Sequence, residues 1–477
     1  MKLSNNITEN KKLIQKILPL EKSFDIIGRD FRVAGKDAFL VFIDGFAKDD
    51  IMVRVMAELQ FTSEEQLGTN PIIAILKSRI PYIEVETFNN IKDLETPVLS
   101  GALGLIIDGE DSGIIIDARE YPVRSPQEPD LEKVTRGSRD GLVETIIFNT
   151  ALIRRRVRDP NLVFEITNVG KRSRTDVVIG YIEDLADKAL LDEIKGRLEK
   201  IDVASLVMAE KTLEELLLKK KWYNPFPQAR FSERPDVVAA HLLEGHIAII
   251  VDTSPSVMIL PVTLFHFTQH AEDYYQTPII GTYVRWVRFL GMLAAFILLP
   301  LWLLLVYNID LMPEYLQFLG PKEDAAIPLF IQFIIIEFGL DLLRVSSIHT
   351  PNTLSTSLGI VGGLLLGEFA VKVGWVVPET VLYGALVGIG TFATPSVEFS
   401  MTIRLLRLIL LILTGLFGIY GFVAAMVVIF WLLYSTKSFE NEKRYTWPLI
   451  PFDGNALMNI LFRRPIPKLK GNGKEKD

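Results

Sequence analysis

FLGMLAAFILLPLWLLLVY, residues 289–307, carries no charge over 19 positions. About 20 apolar residues in helical form cross the hydrocarbon core of a bilayer, so this stretch reads as a span. Pro300 does not disqualify it, because neighbouring helices re-satisfy the freed backbone groups. Upstream, to about Arg288, charges recur every few residues as in a soluble protein; downstream to Tyr434 the chain stays apolar, and a polar tail follows. Residues 325–340, 354–375 and 376–393 read as three further segments. Residues 403–434, with Gly415, Gly418 and Gly421, are long for one span and short for two. The division expected is an α/β subdomain at 1–125, a second at 126–285, an all-α transmembrane domain at 286–436 and a basic tail at 437–477. Arg285 and Arg288 precede the first span, and the tail holds nine Lys/Arg against five Asp/Glu. The positive-inside rule then places both ends in the cytoplasm and demands an even number of crossings. Five segments do not satisfy it. Either 403–434 is a tight hairpin broken near its glycines, or a shorter segment is re-entrant.

The segment LSTSLGIVGGLLLGEFAVKVGW (354–375) is unlike a plain lipid anchor. On a helix Gly359, Gly363 and Gly367 recur every four positions, the small-residue spacing that lets helices approach closely. The other face carries Ser357, Val361, Leu364 or Leu365, Glu368 and Lys372. A charge at a bilayer centre costs at least about 2.5–3.5 kcal/mol, so it faces water or a partner. Glu368 and Lys372 can simply pair at i, i+4. Alternatively this face lines an aqueous path, Glu368 favouring cations and Val361 with Leu364 or Leu365 forming a hydrophobic gate. One helix encloses no pore, so the second reading requires an oligomer. Glu337 and Asp341 are also spaced i, i+4, with Arg344 placed to pair with Asp341 at the membrane edge.

The composition bounds the rest. There are 477 residues, no cysteine, a net charge of −7 and a mean hydropathy of +0.28. Without Cys there is no disulfide framework and no thiolate metal site. The acidic balance argues against a nucleic-acid partner. Met1–Leu20 are polar and Lys-rich with no signal-peptide core, so the N-terminus is expected in the cytoplasm. Strand-like runs at 39–43, 103–108, 113–117, 162–168, 175–182 and 246–252 alternate with helical stretches at 141–157, 187–199 and 203–220. IIDGEDSGIIID reads as a β-hairpin, and YPVRSPQEPD (121–130), with three prolines, as a linker. Two small α/β subdomains are the economical reading. No phosphate loop, zinc-protease motif or nucleophile elbow is present, so neither catalysis nor a cofactor is expected. His266 and His270 lie four apart, too little for a zinc site without further ligands. The arginines at 154, 155, 156 and 158 read as a solvated helix end, an inter-subunit contact or a lipid-headgroup contact. RRPIPKLK (463–470) suits an anionic leaflet.

RGSRDGLVETIIFNTALIRRRVRDPNL (136–162), FPQARFSERPDVVAAHLLEGHIAIIVDTSPSVMILP (226–261) and EDYYQTPIIGTYVRWVRFLG (272–291) resemble the hallmark segments of the A-subunit family of bacterial spore germinant receptors. SIHTPNTLSTSLGIVGGLLLGEFAVKVGW and GTFATPSVEFSMTIRLLR resemble its stage V sporulation protein AF branch more than the nutrient-receptor A subunits, which tend to carry Gln where this chain has Glu368. The resemblance covers nearly the whole chain. It implies a protein of the spore inner membrane, active in germination, with cytoplasmic N-terminal subdomains. It further implies a homo-oligomeric, pentameric channel releasing monovalent cations, which amplifies ion release begun by true receptors together with a small membrane partner and other germination proteins. Two other readings remain open from the residues: a secondary transporter, compatible with Pro300, the glycines and Glu337/Asp341, and a non-conducting scaffold or sensor in which Glu368–Lys372 is only structural.

Overall fold

The computed structural model describes residues 2–46, 49–67, 71–78, 80, 84–119, 132–218, 221–309, 313–323, 326–349, 368–437, 439 and 445–464. The chain forms two compact units. One comprises Met1–Lys219 and Ala229–Pro261; the other comprises Lys220–Gln228 and Val262–Leu469. The linker expected at 121–130 lies outside the described residues.

The first unit holds two five-stranded antiparallel sheets built to one plan. Helix α1 (Ile7–Ile17) precedes the hairpin β1 (Ile26–Val33) and β2 (Lys36–Ile43); then come α2 (Asp49–Gln60), α3 (Glu64–Leu67), α4 (Pro71–Ser78), β3 (Val85–Phe88), α5 (Lys92–Leu99), β4 (Leu103–Ile107) and β5 (Gly113–Ile116). The second sheet repeats this: α6 (Ile146–Arg154), β6 (Leu162–Val169), β7 (Thr175–Ile182), α7 (Lys188–Glu199), α8 (Ala209–Leu217), β8 (Arg230–Ser232), α9 (Pro235–Leu243), β9 (Ile247–Val251) and β10 (Val257–Leu260). Strand orders are β1-β2-β4-β5-β3 and β6-β7-β9-β10-β8, the same permutation. The likeness extends to single hydrogen bonds. Buried Asn10 exchanges two with the backbone of Ser4, and buried Asn149 does the same with Val143. Asp108 accepts from the Ile7 amide and Asp252 from the Ile146 amide, each carboxylate following a core strand and meeting the positive end of the opening helix. The unit is an internal duplication. The expected hairpin between β4 and β5 forms, with Leu105 opposite Ile114. The helices expected at 141–157 and 203–220 contract to α6 and α8.

The arginine run is only in part a solvated helix end: Arg155 and Arg158 are exposed, whereas Arg154 and Arg156 are engaged by carboxylates. Arg154 closes α6 and is fully buried; its Nε and Nη2 donate to Asp25 at 2.5 and 3.1 Å, and Nη2 also reaches Ser23 Oγ and the Leu162 carbonyl. Its guanidinium lies 5.1 Å from the Phe164 ring centre. One buried cation thus joins the second repeat's first helix to the segment before β1. Arg156 binds Asp140 at 2.5 and 2.6 Å and Ser138 Oγ at 2.8 Å. Partial burial pushes the Asp140 carboxyl upward, but hydrogen bonds from Arg156 and Ser138 outweigh it and hold the acid below the ordinary aspartate value of 3.8. A lowered native value stabilises the fold above 3.8, and the stabilisation is lost as pH falls through the native value. Because Asp140 is a third exposed, the contribution is about 0.5–1 kcal/mol. Protection from hydrogen exchange across 138–156, corrected for the intrinsic rate at each pH, is therefore expected to fall below the ordinary aspartate value in the full chain, and Asp140→Asn to remove that pH step.

The second unit is helical: α10 (Glu272–Tyr275), α11 (Pro278–Tyr307), α12 (Leu329–His349), α13 (Ala370–Lys372), α14 (Pro378–Phe392), α15 (Val397–Ser435) and α16 (Gly454–Leu461). Pro278 and Pro378 sit at first-turn positions, where the missing N–H costs nothing. Two of these helices, α11 and α15, are long and apolar enough to cross a membrane. Yet α15 is not one rod. Thr402 Oγ1 donates to the Pro225 carbonyl at 2.7 Å, while Asn224 Nδ2 donates to Thr436 Oγ1 at 2.8 Å. Neighbouring residues thus hold positions that a straight helix would set about 51 Å apart, at about 1.5 Å per residue. The chain reverses at Gly418, whose φ of 58° and ψ of −134° are open to glycine at little cost. Residues 403–434 thus form the hairpin broken near its glycines, with arms 397–417 and 419–435.

The other helices fall into register around it. Trp302 lies against Tyr383 with the rings tilted by 42° and their centres 4.9 Å apart, and Gly291 meets Gly390 and Ala393, so α11 and α14 are antiparallel. Gln332 accepts from Thr380, and glycines 384 and 388 lie beneath Ile336 and Leu340, so α12 and α14 are parallel. Gly374, just before α14, accepts from the Ala326 amide just before α12, as that parallel register requires.

Candidate functional site

Four helices of this unit meet at one arginine. Arg407, on the first arm of α15, donates from Nε and Nη2 to the two carboxylate oxygens of Glu337 on α12, at 2.8 and 2.7 Å. Its Nη1 reaches the Ala295 carbonyl of α11 at 2.5 Å and Thr391 Oγ1 of α14 at 3.5 Å. Both charged side chains are at most 5% exposed. A bidentate fork is the geometry that makes a buried pair tolerable, since every desolvated lone pair needs a donor. One turn along, Arg404 pairs with Asp341, which is half exposed. Rising numbers on α12 meet falling numbers on α15, as antiparallel packing requires. Arg344 donates to Met401 Sδ at 3.1 Å. The i, i+4 carboxylates therefore find their partners across helices, where pairing of Asp341 with Arg344 was expected. Sequence reading missed Arg404 and Arg407; the available signal was two arginines within an apolar run that also faced two unexplained carboxylates.

Gln332 is a second crosslink. Fully buried, it donates to the Ile327 carbonyl and accepts from the Val377 amide and Thr380 Oγ1, both at 3.0 Å. At the opposite end, Asp273 is fully buried between Arg288, at 2.8 and 2.9 Å, and Arg285, at 3.3 Å. Arg285 also donates to the carbonyls of Asn459 and Ile460, fastening α16 to the base of α11. The two arginines read as a basic flank are thus consumed by a buried carboxylate, and the basic character of this end rests on Lys437, Arg463 and Arg464.

Of the residues expected to line a path, Ser357, Val361, Leu364 and Leu365 lie outside the described residues, as do the packing glycines 359, 363 and 367. Glu368 and Lys372 are described. They pair at 2.5 Å on one helical turn, as their spacing allows, and both stay open to the surroundings, 49% and 63% exposed. Phe369, Val373 and Trp375 beside them are also exposed. His266 caps a short turn, its Nδ1 accepting from the Thr263 amide, and His270 accepts from the Glu272 amide. Among the described residues no group of three metal-ligating side chains forms.

Comparison with known proteins returns one family model, described as Bacillus/Clostridium GerA spore germination protein, matching residues 12–474. The chain is 42% identical to stage V sporulation protein AF of Bacillus subtilis (strain 168), covering 98% of this chain and 95% of that one. It is 31% identical to an uncharacterized membrane protein of the same organism, YfkQ, covering 99% and 93% respectively. The crystal structure of the N-terminal domain of the A subunit of the Bacillus megaterium spore germinant receptor GerK3 covers 54% of this chain and 96% of that one, at 28% identity and a TM-score of 0.43.

Proposed function

The chain belongs to the GerA family of spore germination proteins, and from that premise we propose that it is a multi-pass membrane protein of the germination response whose copies assemble around a cation path. The antiparallel packing of α11 on α14, the parallel packing of α12 with α14 and the reversal within α15 support an even number of crossings, which cytoplasmic ends demand. Lys437, Arg463 and Arg464 sit at one end of this bundle, and the positive-inside rule puts that end in the cytoplasm. The protein works by conduction and not by catalysis, beside a small membrane partner and other germination proteins, in the inner membrane of the spore.

One observation carries the channel reading. Glu337, Arg407 and Gln332 are sealed inside the subunit, whereas Glu368 and Lys372, at the end of the segment 354–375, are left exposed. Charges left outward in a membrane need water or another copy. A ring of such segments, pentameric as the family resemblance implies, would place Glu368 around a central path, with Val361 and Leu364 or Leu365 as its apolar constriction. The closed Glu368–Lys372 pair favours the second reading, a non-conducting scaffold.

Cation efflux from vesicles holding the purified full chain separates the two. Val361→Ser is expected to raise leak at least roughly threefold by wetting the constriction, with Val361→Ala in the same direction, and Glu368→Gln to change cation preference. Conduction unchanged in all three variants removes this segment from the path. No conduction under any trigger, with binding to other germination proteins retained, establishes the scaffold.

A further inference from the structure

Among the described residues, the most exposed large apolar side chain of the second unit is not on a membrane helix. Trp222 is 96% exposed, in the strap Lys221–Gln228. It stands edge-on to Tyr223 with ring centres 6.0 Å apart, and Lys221 Nζ lies 5.8 Å from the Tyr223 ring centre. The strap is held fast. Asn224 and the Pro225 carbonyl bind both arms of the hairpin at Thr436 and Thr402, Gln228 donates to the Lys437 carbonyl, and buried Phe226 packs on Tyr445. So the Trp222 ring is held at the open end of the hairpin, at the level where the arms begin and end.

That level has a measurable counterpart. From Thr402 to the reversal at Gly418 is 16 residues, about 24 Å of helix, close to the roughly 30 Å of a hydrocarbon core. At the reversal stands Tyr420, 84% exposed, and at the open end Tyr434, 55% exposed. Aromatic rings with a polar edge collect at both faces of a bilayer, and lysines on the cytoplasmic side are drawn to anionic lipid. The sequence Lys219-Lys220-Lys221-Trp222-Tyr223 supplies both chemistries in five residues.

We propose that Lys221, Trp222 and Tyr223 form a headgroup anchor, inserted into the anionic phospholipid interface of the cytoplasmic leaflet and fixing the depth of the hairpin. This rests on the membrane reading above and is independent of the channel. Because the chain has no cysteine, Trp222→Cys takes a single polarity-sensitive fluorophore. The labelled full chain is reconstituted in vesicles of phosphatidylcholine with phosphatidylglycerol. Quenching by lipids spin-labelled near the headgroup is expected to exceed quenching by lipids labelled at the chain end by twofold or more, with iodide nearly inert. Val427→Cys, exposed midway along the second arm, is expected to show the reverse depth preference, and Lys200→Cys on the first unit to respond to iodide alone. If position 222 behaves like position 200 while 427 is quenched by deep lipid, the anchor is overturned and the membrane reading stands. If 222 is shielded from iodide and from both lipid labels, a protein surface covers it, which also overturns the proposal. If 427 is untouched by lipid, the membrane reading fails and takes the anchor with it.

Discussion

Replacing Arg407 with Met is expected to lower the melting temperature of the detergent-solubilised protein by roughly 10 °C. Removing one partner of a buried ion pair costs about 3–5 kcal/mol, and each kcal/mol moves a unit of this size by about 2–4 °C. The cause is what remains: a Glu337 carboxylate in an apolar interior, with the Ala295 carbonyl and Thr391 hydroxyl deprived of their donor. Glu337→Gln is expected to be milder, since an amide still accepts from the guanidinium but leaves a buried cation under-neutralised. The informative variant is Glu337→Leu with Arg407→Met. Removing both charges together should recover most of the loss, because well-packed apolar replacements of a buried pair are often neutral. Asp341→Asn serves as the control: its carboxylate is half exposed, and solvent-screened pairs contribute about 1 kcal/mol or less. Melting followed by size-exclusion recovery measures all four. A double variant no more stable than Arg407→Met alone would show that the pair is not the element being lost.

How far the sequence discloses this architecture depends on whether the deciding interaction is local. Strands at 162–168 and 175–182 announce themselves through β-branched runs bounded by turns, and the structure places them within a residue or two. The Glu368–Lys372 pair is equally legible, because its partners share one helical turn. The duplication of the first unit is not. It rests on Asn10 and Asn149 each clasping a backbone six residues away, and on Asp108 and Asp252 each reaching more than 100 residues back to a helix start. A repeat maintained by a few buried polar contacts, over core positions that accept any apolar residue of suitable size, leaves little trace in the text of the chain.

The charge ladder stayed hidden for a different reason. Averaged over a window, Arg404 and Arg407 disappear into the leucines and isoleucines of 403–434, although each alone rules out a lipid-facing position at that depth. Reading the carboxylates and the arginines of the apolar segments as one set would have suggested the cross-helix pairing. The fate of Arg154 teaches the same lesson in the first unit: a run of arginines looks solvated until a single buried aspartate, Asp25, claims one of them. Charge patterning counts how many charges there are, and only the fold says which are still free.

The reversal in α15 makes the second strong prediction. Gly418 adopts a conformation that costs a side-chain-bearing residue about 1–3 kcal/mol. Gly421 is tighter: a Cβ there would lie 1.9 Å from the Leu413 carbonyl oxygen and 2.9 Å from Phe417 Cβ. Backbone cannot yield as a flexible side chain does, so Gly421→Ala must splay the arms or undo the turn. Gly415 is different, since the atoms against it belong to the Phe330 ring. The expected order of damage is therefore Gly421→Ala above Gly418→Ala above Gly415→Ala, with the first abolishing most folded protein. Sidedness tests the geometry directly. In a hairpin Ser396 and Lys437 lie on the same face of the membrane, so cysteines placed singly there should both react with an impermeant maleimide from that face. In a single continuous helix they would react from opposite faces. With Gly421→Ala added, labelling should become mixed or the protein should be lost, whereas unchanged same-side labelling at full yield would mean that close contact between Gly421 and Leu413 does not hold the turn.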